Sequence, residues 1–495
     1  MDVYSAYKPL RNFLRKADTF SSLATIWRLN NHLITDTALP VDFIRDLPWA
    51  DRRIKGRIHP WILSILAREI VINGSVSEGC NLTRWFDLAT AINLIYKISN
   101  YISSYTSKLD VLHELHRIVH QQFPWNKDHG YALSRYLCIY GEEDLNSLVV
   151  ERTSLDISKI YTLGFAFSGA FLERPYYMAY QDFSCFGIPE DNRNNFLDEL
   201  IIDLDTLRER YISCQEYNEN WFYSPNCLLA TPLISLGKNR PGWVICPIQN
   251  YLMSRISEGI YYDIVSHKSF SNNYGNSFER YVERISKLFL KEDKVYKPKV
   301  YKFKKQDRHG PDLILKDETA LVVVECKAKQ VKAKFRYDHD KSSLYESLDF
   351  ISKFIVQNYK NIMDMKNGYT EWNSDGLDLF SVIVTLNDWI LFVPTVHKLL
   401  EEKVKVGLAE ENLPFSLLKE IPYFVVSIDD YEVIIQILKK VSIKQLLQKK
   451  MTEDYKSWLM LPFINEVFSS EASCLDYSFL ANELDKLKLG LITSL

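Results

Sequence analysis

Residues 311–327 read PDLILKDETALVVVECK, and the fold turns on them. Leu313 to Leu315 and Ala320 to Val324 are apolar, β-rich runs. The polar, turn-compatible Lys316, Asp317, Glu318 and Thr319 separate them. Two such runs joined by a short polar turn make an antiparallel hairpin. With the turn centred near Asp317 and Glu318, Asp312 falls opposite residue 323, 324 or 325, according to loop length. It therefore lies beside Glu325. Glu325 and Lys327 are two residues apart on one strand, so their side chains share a face. Cys326 points to the other face, where a small, mostly apolar residue suits a core.

Two carboxylates about 4 Å apart repel by roughly 4 kcal/mol at an effective dielectric of 20. A proton, Lys327 or a cation must offset that. An oxygen-rich pair with an open side suits Mg²⁺, which keeps several waters and takes up substrate phosphates. Such a metal activates water and stabilises charge at phosphorus. Lys327 would orient the attacking water or offset charge at the scissile phosphate. Glu-x-Lys alone is common and also reads as an edge ion pair. Pro311-Asp312, the hairpin and the apolar lead-in favour the metal reading.

Upstream, residues 275–290 read GNSFERYVERISKLFL. Phe278, Val282, Ile285 and Phe289 form one helical stripe. Asn276 or Ser277 can cap the start. Glu279 falls at the edge of the buried face, within reach of a site at the sheet end, while Glu283 points more to solvent.

The order helix with Glu, strand, Pro-Asp strand, Glu-x-Lys strand, helix resembles the PD-(D/E)xK, or restriction-endonuclease-like, nuclease superfamily. The resemblance covers about 271–362 clearly and extends toward 450. It implies an α/β core, a mixed sheet flanked by helices, preceded by a mainly α-helical N-terminal region. Asp312 and Glu325 would be metal ligands and Lys327 the catalytic lysine. The Cys326 main-chain carbonyl would complete the coordination, and Glu279 would match the helix acid of many members. Mg²⁺ is the implied cofactor, with Mn²⁺ as substitute. The implied activity is phosphodiester hydrolysis, with a DNA endonuclease of bacterial restriction or anti-phage defence as the leading expectation. An RNase, or a non-catalytic nucleic-acid-binding or scaffold protein with this fold, remains the alternative. The Gln-x-x-x-Tyr helix of the exonuclease branch has no match, because Gln357 and Tyr359 stand too close together.

The whole chain carries a net charge of −3, so it is no globally basic nucleic-acid binder. From Lys287 to Arg336, however, 15 Lys and Arg stand against 7 Asp and Glu. Lys294, Lys297, Lys299, Lys302, Lys304 and Lys305 are expected along the first strand and its exit. Lys299, Lys302, Lys304, Lys305, Arg308, Lys329, Lys332 and Lys334 are the candidate phosphate contacts. Tyr296, Tyr301, Phe303, Phe335 and Tyr337 are interleaved and could stack on unpaired bases.

At 495 residues the chain should hold two or three domains. No run of 18 apolar residues suggests a membrane span. Met1 to Lys16 lacks a signal-peptide h-region. Eight scattered cysteines without a C-x-x-C pair exclude common zinc motifs and suggest reduced thiols in a cytoplasm. The expected domains are a helical region 1–225, a hairpin-helix connector 226–270, the nuclease-like domain 271–450 and a helical appendage 451–495. The N-terminal region could serve target choice, homodimerisation or partner binding. The connector should hold one helix from Ile248 to Ser266, and Ser271 to Gly275 a polar linker. His113, His116 and His120 share a helix face, but HELHRIVH is not H-E-x-x-H and reads as a polar face.

Overall fold

The computed structural model describes residues 2–35, 37–39, 56–75, 82–106, 111–126, 129–303, 305–338, 342–389, 391 and 394–492. The fold is mixed α/β, with sheets flanked by helices, and the chain divides into two compact units. The first holds residues 1–114, 121–270 and 480–495; the second holds 115–120 and 271–479. The expected boundaries shift accordingly. Residues 226–270 are not a separate connector but part of the first unit, where Asn226 Nδ2 donates to Ser64 Oγ at 2.8 Å. Residues 451–479 belong to the second unit, because Phe479 packs on Phe289 and the Asp476 amide donates to Gln436 Oε1 at 2.7 Å.

The first unit is built on long helices such as Thr19–Thr35, Pro60–Asn73, Trp85–Thr106 and Ile157–Glu173. It also carries a four-stranded sheet, in the order Tyr176–Met178, Trp243–Ile245, Leu233–Ser235, Ile201–Ile202. Its core includes the buried pair Arg68–Glu69, to which Tyr7 donates at 2.8 Å. The expected helix Ile248 to Ser266 is two, Gln249–Ile256 and Ile260–Ile264. The chain leaves helical geometry at Ser257 (φ −113°, ψ −98°), and Gly259 permits the tight return, since a Cβ there would lie 2.7 Å from the Arg255 carbonyl oxygen.

The second unit is ordered around a five-stranded mixed sheet. Its strands are β1 (Val295–Tyr296), β2 (Leu313–Lys316), β3 (Ala320–Lys327), β4 (Asp378–Thr385) and β5 (Tyr423–Ser427), in the order β5-β4-β3-β2-β1. Pairs β1/β2 and β2/β3 are antiparallel; β3/β4 and β4/β5 are parallel. The parallel crossovers are helical, as that connection requires. Helix α2 (Ser342–Lys366) joins β3 to β4, and α3 (Pro394–Glu410) lies between β4 and β5. Asn358 of α2 is fully buried and donates to Val323 O at 3.2 Å and Ser381 Oγ at 3.1 Å, so α2 covers the face shared by Val323, Glu325 and Lys327.

Helix α1 (Phe270–Phe289) precedes the sheet and α4 (Ile428–Ile437) follows it. They meet through Ser286 and Tyr431, whose oxygens lie 2.8 Å apart. Ser271 to Gly275 is therefore helix, not linker, and neither Asn276 nor Ser277 caps it. Phe270 and Tyr274 extend the buried stripe of Phe278 backward, and that apolar anchoring outweighs the weak helix propensity of Ser, Asn and Gly.

The expected first strand is also broken. After Tyr296 the ladder stops near Pro298, which has no N–H to donate. Tyr301–Phe303 and Gln306–Arg308 form their own small hairpin.

Candidate active site

The β2–β3 turn sets the site. Asp317 Oδ1 accepts from Thr319 N at 2.8 Å, Thr319 Oγ1 at 2.6 Å and Ala320 N at 2.9 Å. These bonds fix one register, Leu313 opposite Val324. Of the three registers open to the sequence, this one puts Asp312 in line with Glu325. Asp312 Oδ2 then accepts the Cys326 backbone N–H at 2.7 Å, which ties it to the end of β3.

Glu325 is buried at 8% exposure, and Lys327 Nζ donates to its Oε1 at 2.6 Å. The Lys327 ammonium also sits 4.9 Å from the ring centre of Phe354 on α2. Cys326 is buried on the opposite face, near Tyr431 of α4, and burial pushes its thiol well above the ordinary range.

The electrostatics are those of crowded carboxylates. Burial, then Asp312, push the Glu325 carboxyl up to about 7, with Lys327 opposing. Burial raises Asp312 against the pull of Lys327. Glu279 on α1 is half-buried and is also raised, by burial first and by Asp312 second. Burial alone would lower Lys327, but Glu325 and Asp312 hold its proton and the net direction is upward. Four ionisable groups from α1, β3 and the residue before β2 thus act on one another.

Asp312, Glu325 and the Cys326 carbonyl are the hard oxygen donors that Mg²⁺ takes. Oδ1 of Asp312 and Oε2 of Glu325 have no hydrogen-bond partner among the described residues. A dication would offset the burial that lifts both carboxyls and the repulsion from Asp312 that adds to it at Glu325. The chemistry of the donor set therefore fits a hard divalent ion, although no three His, Cys, Asp or Glu side chains among the described residues are gathered at metal-binding geometry.

The basic residues divide. Lys297 acts electrostatically on both Asp312 and Glu279 and pairs with Glu283 at 3.7 Å. It is a site cation that sequence reasoning did not single out. Glu283 is the more exposed of the two helix acids, as expected, and holds Lys287 at 2.7 Å. Lys302, Lys305 and Lys332 are exposed, and Lys299 is exposed beside Glu371 at 3.9 Å. Lys329 lies 3.6 Å from the ring centre of Phe350, and burial lowers its pKa. Lys304 and the side chain of Lys334 lie outside the described residues.

Arg308 departs most from expectation. Its Nη1 meets Asp364 Oδ2 at 2.7 Å and its guanidinium covers Phe303 at 3.8 Å, so it is engaged within the fold. The interleaved aromatics are likewise internal. Phe335 is buried, Tyr296 packs on Trp372, Phe303 packs on Tyr369, and Tyr301 donates to Asp364 at 2.6 Å. Nor are the histidines a polar face: His113, His116 and His120 are all buried, and His116 Nε2 lies 3.1 Å from Phe335 O.

No protein-family model, curated protein or solved structure matches this chain. Among the described residues, no helix is long and apolar enough to cross a membrane.

Proposed function

We propose that the second unit is a restriction-endonuclease-like, divalent-metal-dependent nuclease that hydrolyses phosphodiester bonds in nucleic acid. One observation carries this reading: Asp312, Glu325 and Lys327 converge at the ends of adjoining antiparallel strands, with both carboxyls held above their ordinary range. Folds seldom keep such unfavourable charge without a use for it. Asp312, Glu325 and the Cys326 carbonyl would hold Mg²⁺, with Glu279 beside them. The bound ion would supply Lewis-acid polarisation and an activated water.

The chain's own groups do the rest. The Lys327 proton is held tightly, so at neutral pH this residue is an ammonium that binds an anionic oxygen, not a base. Phe354 limits where that ammonium can swing. The Cys326 amide fixes Asp312. Exposed Lys302, Lys305 and Lys332 offer charge to the phosphate backbone.

The ion pair of Lys327 with Glu325 favours a second reading, in which the pair is structural and the unit only binds nucleic acid. The deciding experiment incubates the full chain with supercoiled plasmid, linear duplex, single-stranded DNA and RNA, in Mg²⁺, Mn²⁺ or EDTA, beside Asp312→Asn. Metal-dependent cleavage that Asp312→Asn abolishes is expected. Tight binding with no cleavage of any substrate favours the second reading.

A further inference from the structure

A row of aromatic rings leads away from Lys327. Phe354 and Phe350 stand one turn apart on α2, both half-buried, with ring centres 4.6 Å apart and planes at 86°, edge to face, so each offers a separate ring face. A lysine lies against each: Lys327 at 4.9 Å from Phe354 and Lys329 at 3.6 Å from Phe350. Trp389 continues the row, its ring nearly parallel to Phe350 at 6.5 Å and 14°.

Trp389 lines a cavity of about 610 Å³ between α3, the edge strand β5 and residues 450–460. That volume suits one small ligand. The cavity lies on the same side of the sheet end as Lys327. Lys327, Thr385 and Ser427 are register neighbours in one row, and the last two line the cavity. Two strand spacings, roughly 10 Å, separate Lys327 from Ser427.

Two of the lining residues each carry a polar atom that the fold leaves unsatisfied. Trp389 Nε1 and the Tyr423 hydroxyl are buried with no hydrogen-bond partner among the described residues. Trp389 as a whole is only 5% exposed. A buried donor without an acceptor is costly, so either side chain would gain by turning its donor toward acceptor atoms of a ligand in the cavity. Four lysines and four carboxylates line the cavity, a balance that suits a neutral group over a polyanion. The ammonium of Lys450 is already capped by the carbonyls of Tyr455 and Lys456. A planar, neutral, acceptor-bearing heterocycle that stacks on aromatic rings is a nucleobase.

We propose that this site takes an unpaired nucleic-acid strand, with single bases stacked separately on Phe354 and on Phe350 and one base seated in the cavity at Trp389 and Tyr423. The proposal rests on the nuclease reading for its substrate class and deepens it. In a duplex the bases are stacked on one another and cannot use these rings; in a single strand every base offers a π-face. The alternation of ring and lysine matches the alternation of base and phosphate.

The test is fluorescence anisotropy with a labelled oligo-dT, an oligo-rU and a blunt DNA hairpin, on the full chain in EDTA so that nothing is cut. Phe350→Leu and Trp389→Leu are added singly; both stay apolar while removing the ring, and their melting temperatures are checked against the parent. Single strands should bind more tightly than the hairpin. Each added substitution should weaken single-strand binding by about 5- to 150-fold, the range for losing one stacked base, and leave the hairpin unchanged. Equal affinity for hairpin and single strand, or single-strand affinity untouched by both substitutions, overturns the proposal. Failure of the nuclease reading is separable. If the unsubstituted chain cuts nothing yet shows the Phe350-dependent preference, the cleavage reading falls alone. If it cuts duplex and Phe350→Leu does not matter, the stacking track falls alone.

Discussion

Replacing Glu325 by Gln should stabilise the second unit at pH 8 and leave it nearly unchanged at pH 4.5. The fold holds this carboxyl at about 7 in place of its ordinary 4.5. At about 1.4 kcal/mol per tenfold change in proton affinity, ionising it in the folded state costs about 3 kcal/mol. The sign follows from the raised value. The favourable, protonated form is fully present below the unfolded-state value of 4.5, and its contribution is lost as pH rises through 7. Gln mimics the protonated form at every pH. The raised value already includes the opposing charge of Lys327 and its 2.6 Å hydrogen bond. The gain at pH 8 should therefore be about 3 kcal/mol. The assay is urea unfolding of the full chain in EDTA, followed by hydrogen exchange on peptides covering 313–327, so that this unit is tracked separately. Added Mg²⁺ should then stabilise the unsubstituted chain and not Glu325→Gln. A variant less stable at pH 8, by the same amount as at pH 5, would refute the reasoning and make Glu325 a satisfied partner of Lys327.

Other substitutions test the frame around the site. Gly275→Ala should stabilise α1 by about 0.5–1 kcal/mol, because a Cβ there meets nothing within 4 Å; urea midpoints measure it. Asn358→Ala should cost about 2–3 kcal/mol by the same measurement, since it strips the bonds to Val323 O and Ser381 Oγ from a fully buried position. Arg308→Ala should cost about 1–2 kcal/mol through Asp364 and leave the salt dependence of nucleic-acid binding unaltered. Exposed Lys302→Ala should instead lower that slope by roughly one.

What could be read in the sequence was local. The β2–β3 hairpin followed from two apolar runs and a polar turn, and the buried face of α1 from the spacing of Phe278, Val282 and Ile285. The register was not legible, because it depends on which groups Asp317 bonds in the turn. The start of α1 was hidden because Ser-Asn-Asn resembles a linker until Phe270 and Tyr274 are known to be buried. Arg308 looked like a phosphate contact because its partner, Asp364, lies 56 residues away. The same distance problem concealed the ring row. The spacing of Phe350 and Phe354 was visible in the sequence, but nothing local joins Trp389 to Phe350, or either ring to Lys327 and Lys329. Charge runs and aromatic counts describe a segment; whether each side chain faces core or solvent is set by long-range packing.

The most direct test of the central claim is the single-turnover cleavage rate of the full chain in Mg²⁺, compared with Lys327→Ala on the same substrate. The account predicts a loss of at least about 100-fold, the scale of removing one electrostatic contact to developing charge, with melting temperature and Mg²⁺ binding retained. Cleavage by Lys327→Ala at the unsubstituted rate would contradict it.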